Sequence, residues 1–211
     1  MLKEYLEKDI ELTKKEILII FGFLFVASGI FGWLYEFIFY YFNSGMKQFY
    51  LQGSNFLPWI NIYMYGAFLI IFLTYKRRKH PLQVFLISMI STGILEYLSG
   101  WILYGKLGWT KCWDYNQEIL NFGNINGYVC LRSVLVFGCC GLILIYGMLP
   151  FCIKLVKTYN PKTLLVLSMV LFSIFLFDEV YNLCIDQYVP LPGASEFYKS
   201  KGFHYQYFYD D

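Results

Sequence analysis

Two glutamates lie inside apolar segments that are long enough to cross a bilayer, and their positions carry the clearest chemical meaning in the chain. Glu36 lies within residues 17–42, and Glu96 lies within residues 84–104. A carboxylate in the hydrocarbon layer costs about 3 kcal/mol or more, so it usually faces a partner, a water-filled cavity or a transport path. The two glutamates therefore indicate where a functional site would lie, without naming its substrate.

Other charged residues are expected at a similar depth. At about 1.5 Å per residue, Glu36, Glu96 and Asp178 all lie beyond the middle of their spans, toward the same side. Arg132 is the only arginine within a predicted span, and acids from three neighbouring helices could reach it. One interpretation is a polar cavity open to the outer leaflet, lined by these residues with Asp178 or Glu179. The other is a buried ion-pair network that only fixes helix register.

A polar segment, 105–127, precedes Arg132 and contains the run Trp113-Asp114-Tyr115 among several asparagines. Such a segment could fold back as a re-entrant loop or lid, which is tolerated at membrane depth only where it is buried in protein or wet. The residues expected at the cavity are Glu36, Tyr63, Glu96, Tyr97, Trp113, Asp114, Tyr115, Asn124, Arg132 and Asp178.

The composition of the chain predicts that transmembrane helices hold these residues. The chain has 58% hydrophobic and 15% charged residues and a mean hydropathy of +0.48, which is typical of the membrane class. We predict an all-α bundle of about five transmembrane helices, with a short amphipathic interfacial helix in 1–16 and an aromatic-rich outer tail in 186–211. The predicted spans within 17–185 are 17–42, 56–75, 84–104, 128–153 and 163–185.

The positive charges predict the topology. Eleven lysines and arginines flank one side of the predicted membrane, in 1–16, 76–79 and 154–162, whereas five lie on the opposite side. The positive-inside rule therefore predicts a multi-pass protein of the cell membrane with a cytoplasmic N-terminus and an external C-terminus.

Several classes of function lack support in the sequence. The six cysteines form no CxxC pair, and the two histidines, His80 and His204, fall on opposite sides of the predicted membrane. Neither a metal site nor a cofactor is expected from these ligands. Cys112 and Cys130 could pair near the outer face, although packing is the preferred interpretation for all six cysteines. No basic stripe predicts nucleic-acid binding.

Four motifs in order suggest a family. They are Gly32-x-x-Tyr35-Glu36, Glu96-Tyr97-x-x-Gly100, Trp113-Asp114-Tyr115 and Asn124-x-x-Gly127-x-x-Cys130-Leu131. Over roughly residues 20–150, the chain resembles the bacterial ABC-transporter type IV (CmpB-like) family of integral membrane proteins. The resemblance implies a multi-span, permease-like protein.

The chain departs from that family at two places. Where the family tends to show Gly-Pro-x-x-Pro-Ile-Tyr-Gly, this chain keeps Pro58 and Tyr63 in a different run. A family arginine is replaced by Tyr128, and Arg132 lies one turn deeper. Either Arg132 takes over the charge role or the site has diverged.

Three functions remain open. The first is a permease or accessory transporter subunit, which would need a separate ATPase because the chain contains no GxxxxGK[ST] phosphate loop. The second is a non-catalytic scaffold or partner-binding protein. The third is a lipid- or envelope-modifying enzyme, with Glu96 or Asp114 as acid or base and Arg132 holding an anionic headgroup. No recognisable catalytic motif supports the enzyme. The expected partners are the lipid bilayer and either an ATPase subunit or a second copy of the chain.

Overall fold

The computed structural model describes residues 2–109 and 111–205. Within these ranges the chain is helical and contains no β-strand, only two isolated bridges, so the predicted all-α fold is confirmed. The last residues of the aromatic tail, 206–211, lie outside the described part. The α-helices in chain order are α1 (Leu2–Glu7), α2 (Lys14–Asn43), α3 (Asn61–Thr74), α4 (Pro81–Gly100), α5 (Leu131–Ile143), α6 (Leu149–Thr158), α7 (Pro161–Val180) and α8 (Ala194–Ser200).

Four helical stretches are long and apolar enough to cross a membrane. They comprise α2, α4 with its π-helical extension, α5 with α6, and α7 with its last turns, and they run over Lys14–Asn43, Pro81–Lys106, Leu131–Thr158 and Pro161–Tyr188. Each has 26 to 30 residues. Because a helix rises about 1.5 Å per residue, these lengths exceed the roughly 30 Å of the hydrocarbon core.

The remaining predicted span, 56–75, is a shorter helix. Helix α3 has 14 residues and continues only as a single turn over Tyr75–Arg77. Pro58 lacks a backbone N–H and disfavours a helical conformation at Leu57, so the residues before Asn61 are irregular. The expected five spans are therefore four long helices and one short helix.

The irregular backbone before α3 is stable because groups on another helix accept its hydrogen bonds. Asp178 on α7 accepts hydrogen bonds from the backbone N–H groups of Phe56 and Leu57, both at 2.9 Å. Next to it, Glu179 accepts bonds from the side chains of Asn55 and Asn61. Non-helical backbone at membrane depth is stable only with such partners. The two acids of α7 thus hold the start of α3.

The segments between helices gather at two ends of the bundle. At one end, named the loop end, residues 44–60, 107–130 and 189–205 meet; Ile119 N donates to Asn43 Oδ1, and Leu51 N donates to the carbonyl of His204. Residues 2–13, 75–80 and 159–160 lie at the opposite, N-terminal end. The connecting segments thus alternate between the two ends of the bundle, as in the predicted topology. Which end faces the cytoplasm stays a prediction.

The N-terminal helix α1 packs against the bundle. Tyr5 is 0% exposed and belongs to the core cluster that includes Ile19 and Ile153. Arg78 donates hydrogen bonds to the carbonyls of Tyr5 and Lys8, at 2.6 and 2.9 Å. Its guanidinium also lies over the ring of Tyr5. Arg78 therefore holds α1 against the bundle. The interfacial position of residues 1–16 in the membrane stays a prediction.

Small residues bring the helices close together, as expected in lipid. A Cβ atom on Gly32 of α2 would overlap the ring of Tyr63 on α3. Between α4 and α5, Gly141 packs on Ser88, and Gly138 packs against the ring of Phe85. These close approaches place the polar side chains of four helices around one space near the loop end.

Candidate functional site

A small, largely enclosed cavity lies between α2, α3, α4 and α5, beneath the segment 107–130. Its volume is about 40 Å³, which is room for roughly three water molecules. Six of the ten residues expected at the site line it: Glu36, Tyr63, Glu96, Trp113, Tyr115 and Arg132. The structure thus brings together polar residues from four helices and from the segment that was predicted to form a lid.

Glu96 on α4 is 5% exposed and is held by two hydroxyl groups. The Tyr115 hydroxyl donates to Oε1, and the Ser133 hydroxyl lies 2.8 Å from Oε2. Burial, followed by the neighbouring carboxyl groups of Glu96 and Glu118, raises the pKa of Tyr115 well above its usual range. Tyr115 is therefore a hydrogen-bond donor to Glu96 throughout the physiological range.

Arg132, near the start of α5, pairs with Glu118 from the segment 107–130. Its Nη2 lies 2.5 Å from Glu118 Oε2, and the Glu118 side chain is 1% exposed. The Tyr40 hydroxyl donates to the other oxygen of Glu118 at 3.2 Å. The guanidinium also stacks on Phe39, 3.8 Å from the ring centre. This ion pair connects α5 to the loop segment and, through Phe39 and Tyr40, to α2.

Two nitrogens of Arg132, Nε and Nη1, are buried and have no hydrogen-bond partner among the described residues. A buried guanidinium with unmade bonds is unusual, because each buried unpaired donor costs about 1–3 kcal/mol. The cavity that Arg132 lines can accommodate water, which could supply acceptors. Both nitrogens are enclosed by the protein, and their unmade bonds are a cost of placing Arg132 here.

Glu36 on α2 is half-buried and lies one helical turn beyond Gly32, where α2 contacts α3. Its carboxyl group interacts with the hydroxyl of Tyr63. Unlike Glu118, Glu36 has no cationic partner within salt-bridge distance among the described residues. Glu96 likewise has no cationic partner among them, but two hydroxyl groups hold it.

The other four expected residues lie outside the cavity and position its parts. Asp114 accepts hydrogen bonds from Lys111 Nζ at 2.7 Å and from the backbone of Asn116 at 3.0 Å. Asn124 caps the backbone N–H of Gly127, whose φ of +76° favours glycine. Tyr97 accepts a bond from Asn126. Together with Asp178, which holds residues 56 and 57, these residues fix the segments around the cavity.

The sequence did not single out Glu118, Tyr40 or Ser133. Glu118 lies in a polar segment where a solvent-exposed acid is the ordinary expectation, and no local pattern distinguishes it from one. Its only signal is that it is one of two acids between residues 107 and 130. Ser133 could have been suspected because it directly follows Arg132. Among the described residues, no group of three or more His, Cys, Asp or Glu side chains could hold a metal ion.

An all-α chain with four membrane-length apolar helices and polar residues enclosed between them is a multi-span membrane protein. The chain belongs to the family described as "Putative ABC-transporter type IV", whose profile matches residues 23–183. The resemblance expected over residues 20–150 is thereby confirmed, and the match extends through most of the last long helix. No curated protein and no solved structure matches the chain.

Proposed function

We propose that this chain is a permease-type or accessory membrane subunit of an ABC-transporter-related system, with the enclosed cavity as its binding site. The observation that carries the proposal is the grouping of Glu36, Glu96, Glu118 and Arg132 around one cavity within apolar helices. Such residues are expensive in a membrane and are retained chiefly where they bind or conduct something polar. Family membership supports the transporter class.

The proposal requires a partner that hydrolyses nucleotide, since this chain contains no phosphate loop. The N-terminal end of the bundle offers a positively charged surface for such a partner, because Lys76, Arg77 and Lys79 are exposed there. Its short connections suit docking of a separate subunit better than an internal catalytic domain. The predicted topology directs this end toward the cytoplasm, where ATP is found.

Copurification in a gentle detergent tests the partnership. We expect an ATPase to copurify with the full chain and to be lost when Lys76 and Arg77 are both changed to Glu. The matched control is Lys47→Glu, an exposed lysine at the loop end, which should keep the partner. Repeated absence of any nucleotide-hydrolysing protein from the wild-type preparation would refute the transporter proposal.

The orientation can be tested separately by labelling single cysteines at positions 79 and 106, introduced into a chain without its exposed native cysteines. Lys79 precedes α4, and Lys106 ends its extension. A membrane-impermeant reagent should therefore reach the two positions from opposite sides. Labelling of both from one side would contradict the proposed topology.

A scaffold is the second candidate, and the small cavity with its buried ion pair favours it. A volume of about 40 Å³ admits water or a small ion but no larger substrate. The variants Glu36→Gln and Glu96→Gln discriminate between the two functions. If they keep the fold and the partner but abolish coupled ATP hydrolysis, the cavity is functional; if they only lower thermal stability, the network is structural.

A further inference from the structure

The cavity contains more negative than positive groups. Among the described residues, three glutamates, Glu36, Glu96 and Glu118, line it, and Arg132 is the only basic side chain that does so. The guanidinium is committed to Glu118 at 2.5 Å. Two further ionised carboxylates between apolar helices would be costly, because burial disfavours the charged form of an acid. We therefore expect at least one of these carboxyl groups to bind a proton.

The unpaired nitrogens of Arg132 provide a second, independent observation. Arg132 is 9% exposed, and both Nε and Nη1 are buried without a hydrogen-bond partner among the described residues. These donors require acceptors, yet an anionic ligand would enter a cavity that already has an excess of carboxylates. Water, or a carboxylate of the protein itself, is the acceptor that fits both the size and the charge of the cavity.

We propose that the cavity is a proton-binding site, in which Glu36 takes up and releases a proton through cavity water and Arg132 compensates its charge when it is ionised. The proton leaves the carboxyl oxygen of Glu36 for a water molecule and returns by the same route. This inference rests on the proposed function, because it names the ligand of the same cavity.

Glu36 is the acid that suits this role. Both oxygens of Glu96 already have hydroxyl donors, from Tyr115 and Ser133, and Glu118 has Arg132 and Tyr40. Among the described residues, Glu36 has only the hydroxyl of Tyr63, and it is the most exposed of the three acids. An acid with few fixed donors and some access to water can exchange a proton without breaking the surrounding network.

The groups that surround Glu36 come from every element packed at this end of the bundle. The titratable and charged side chains around it are Tyr35 and Tyr40 from α2, Tyr63 from α3, Glu96 from α4, Cys112, Tyr115 and Glu118 from the segment 107–130, and Arg132 from α5. Helix α7 also packs on α2, but its acids, Asp178 and Glu179, are engaged with residues 55–61. Arg132 is thus the only cation near Glu36 among the described residues.

Infrared difference spectroscopy on the purified full chain in lipid bilayers tests the proposal directly. When the pH is raised stepwise, the wild-type chain should lose the band of one protonated carboxyl group. This change should be absent in Glu36→Gln and retained in Glu36→Asp. The matched control is Glu179→Gln, which removes an acid from a neighbouring span and should leave the titration unchanged.

Two results would overturn the proton site: no carboxyl group titrates in the wild type, or the titration persists unchanged in a folded Glu36→Gln chain. If Glu36→Gln fails to fold, Tyr63→Phe provides the second test, because it removes the hydroxyl partner of Glu36 and should shift the midpoint pH. An unchanged midpoint would also refute the proposal. The measurement needs no ATPase, so a proton site without a partner would leave this inference standing and refute only the transporter role.

Discussion

The ion pair between Arg132 and Glu118 allows a quantitative test of what the polar network contributes to stability. In Arg132→Met, Glu118 loses this cation, while its bond from the Tyr40 hydroxyl, at 3.2 Å, remains and its side chain stays 1% exposed. Removing one partner of a buried pair typically costs about 3–5 kcal/mol, because the remaining charge is left uncompensated. The substitution also removes two buried donors that lack partners, and this offsets part of the loss in stability. We therefore expect a loss of about 3 kcal/mol.

Substituting Glu118 as well allows a double-mutant cycle. In the double variant Arg132→Met with Glu118→Gln, no unpaired charge remains at the site, and a neutral replacement of a buried pair is often close to neutral in stability. The double variant should therefore recover most of the loss. The coupling energy between the two sites should therefore be at least about 2 kcal/mol, as expected for contacting residues.

The assay is equilibrium denaturation of the purified chain in mixed micelles, followed by circular dichroism. Lys157→Met is the matched control, because Lys157 pairs with Glu16 at 2.8 Å with 40% of its side chain exposed. A partly exposed pair contributes at most about 1 kcal/mol. If the effects of Arg132→Met and Glu118→Gln add to within about 0.5 kcal/mol, the two residues are independent and our account of the network is wrong.

Three further substitutions test individual contacts. Asp178→Leu leaves the amides of Phe56 and Leu57 without acceptors, at about 1–3 kcal/mol each, so denaturation should show a loss of at least about 2 kcal/mol; a neutral effect would contradict the bonds. Gly32→Ala should lower stability by about 1–3 kcal/mol through overlap with the Tyr63 ring, whereas Gly66→Ala, whose Cβ would meet nothing closer than 4.0 Å, should not. The pKa of Tyr115 is raised in the fold by burial, so its contribution to stability is complete below about pH 10, the unfolded value, and is lost as the pH rises further. Thermal unfolding against pH should therefore be less steep above about pH 10 in Tyr115→Phe, and an equal slope would refute the assignment.

Much of the helical architecture could be predicted because a bilayer imposes a minimum length on apolar segments. The segments 17–42, 84–104, 128–153 and 163–185 correspond to the four long helical stretches. The segment 56–75 met the same length criterion but begins with irregular backbone. Hydropathy measures apolarity alone, so it could not reveal that acids on α7 satisfy the backbone around Pro58.

The site could be predicted only in part. The position of a residue along a span gives its depth in the membrane, but the sequence says less about which neighbour its side chain faces. Glu36 and Glu96 lie close to glycines, which indicated packed faces, and the structure gathers both with Arg132. Asp178 has a similar depth, but its side chain points to residues 56 and 57 instead of the cavity. Glu118 enters the site from a loop segment, where neither depth nor periodicity provides a signal.

The contact between Asp178 and the stretch before α3 also affects how the protein is made. Phe56 and Asp178 are separated by 122 residues. At a synthesis rate of about 5–20 residues per second, the acceptor leaves the ribosome roughly 6–24 s after the amides that it serves. During that interval the start of α3 must take its hydrogen bonds from water or from the insertion machinery. The last long helix is therefore the element that completes the start of α3.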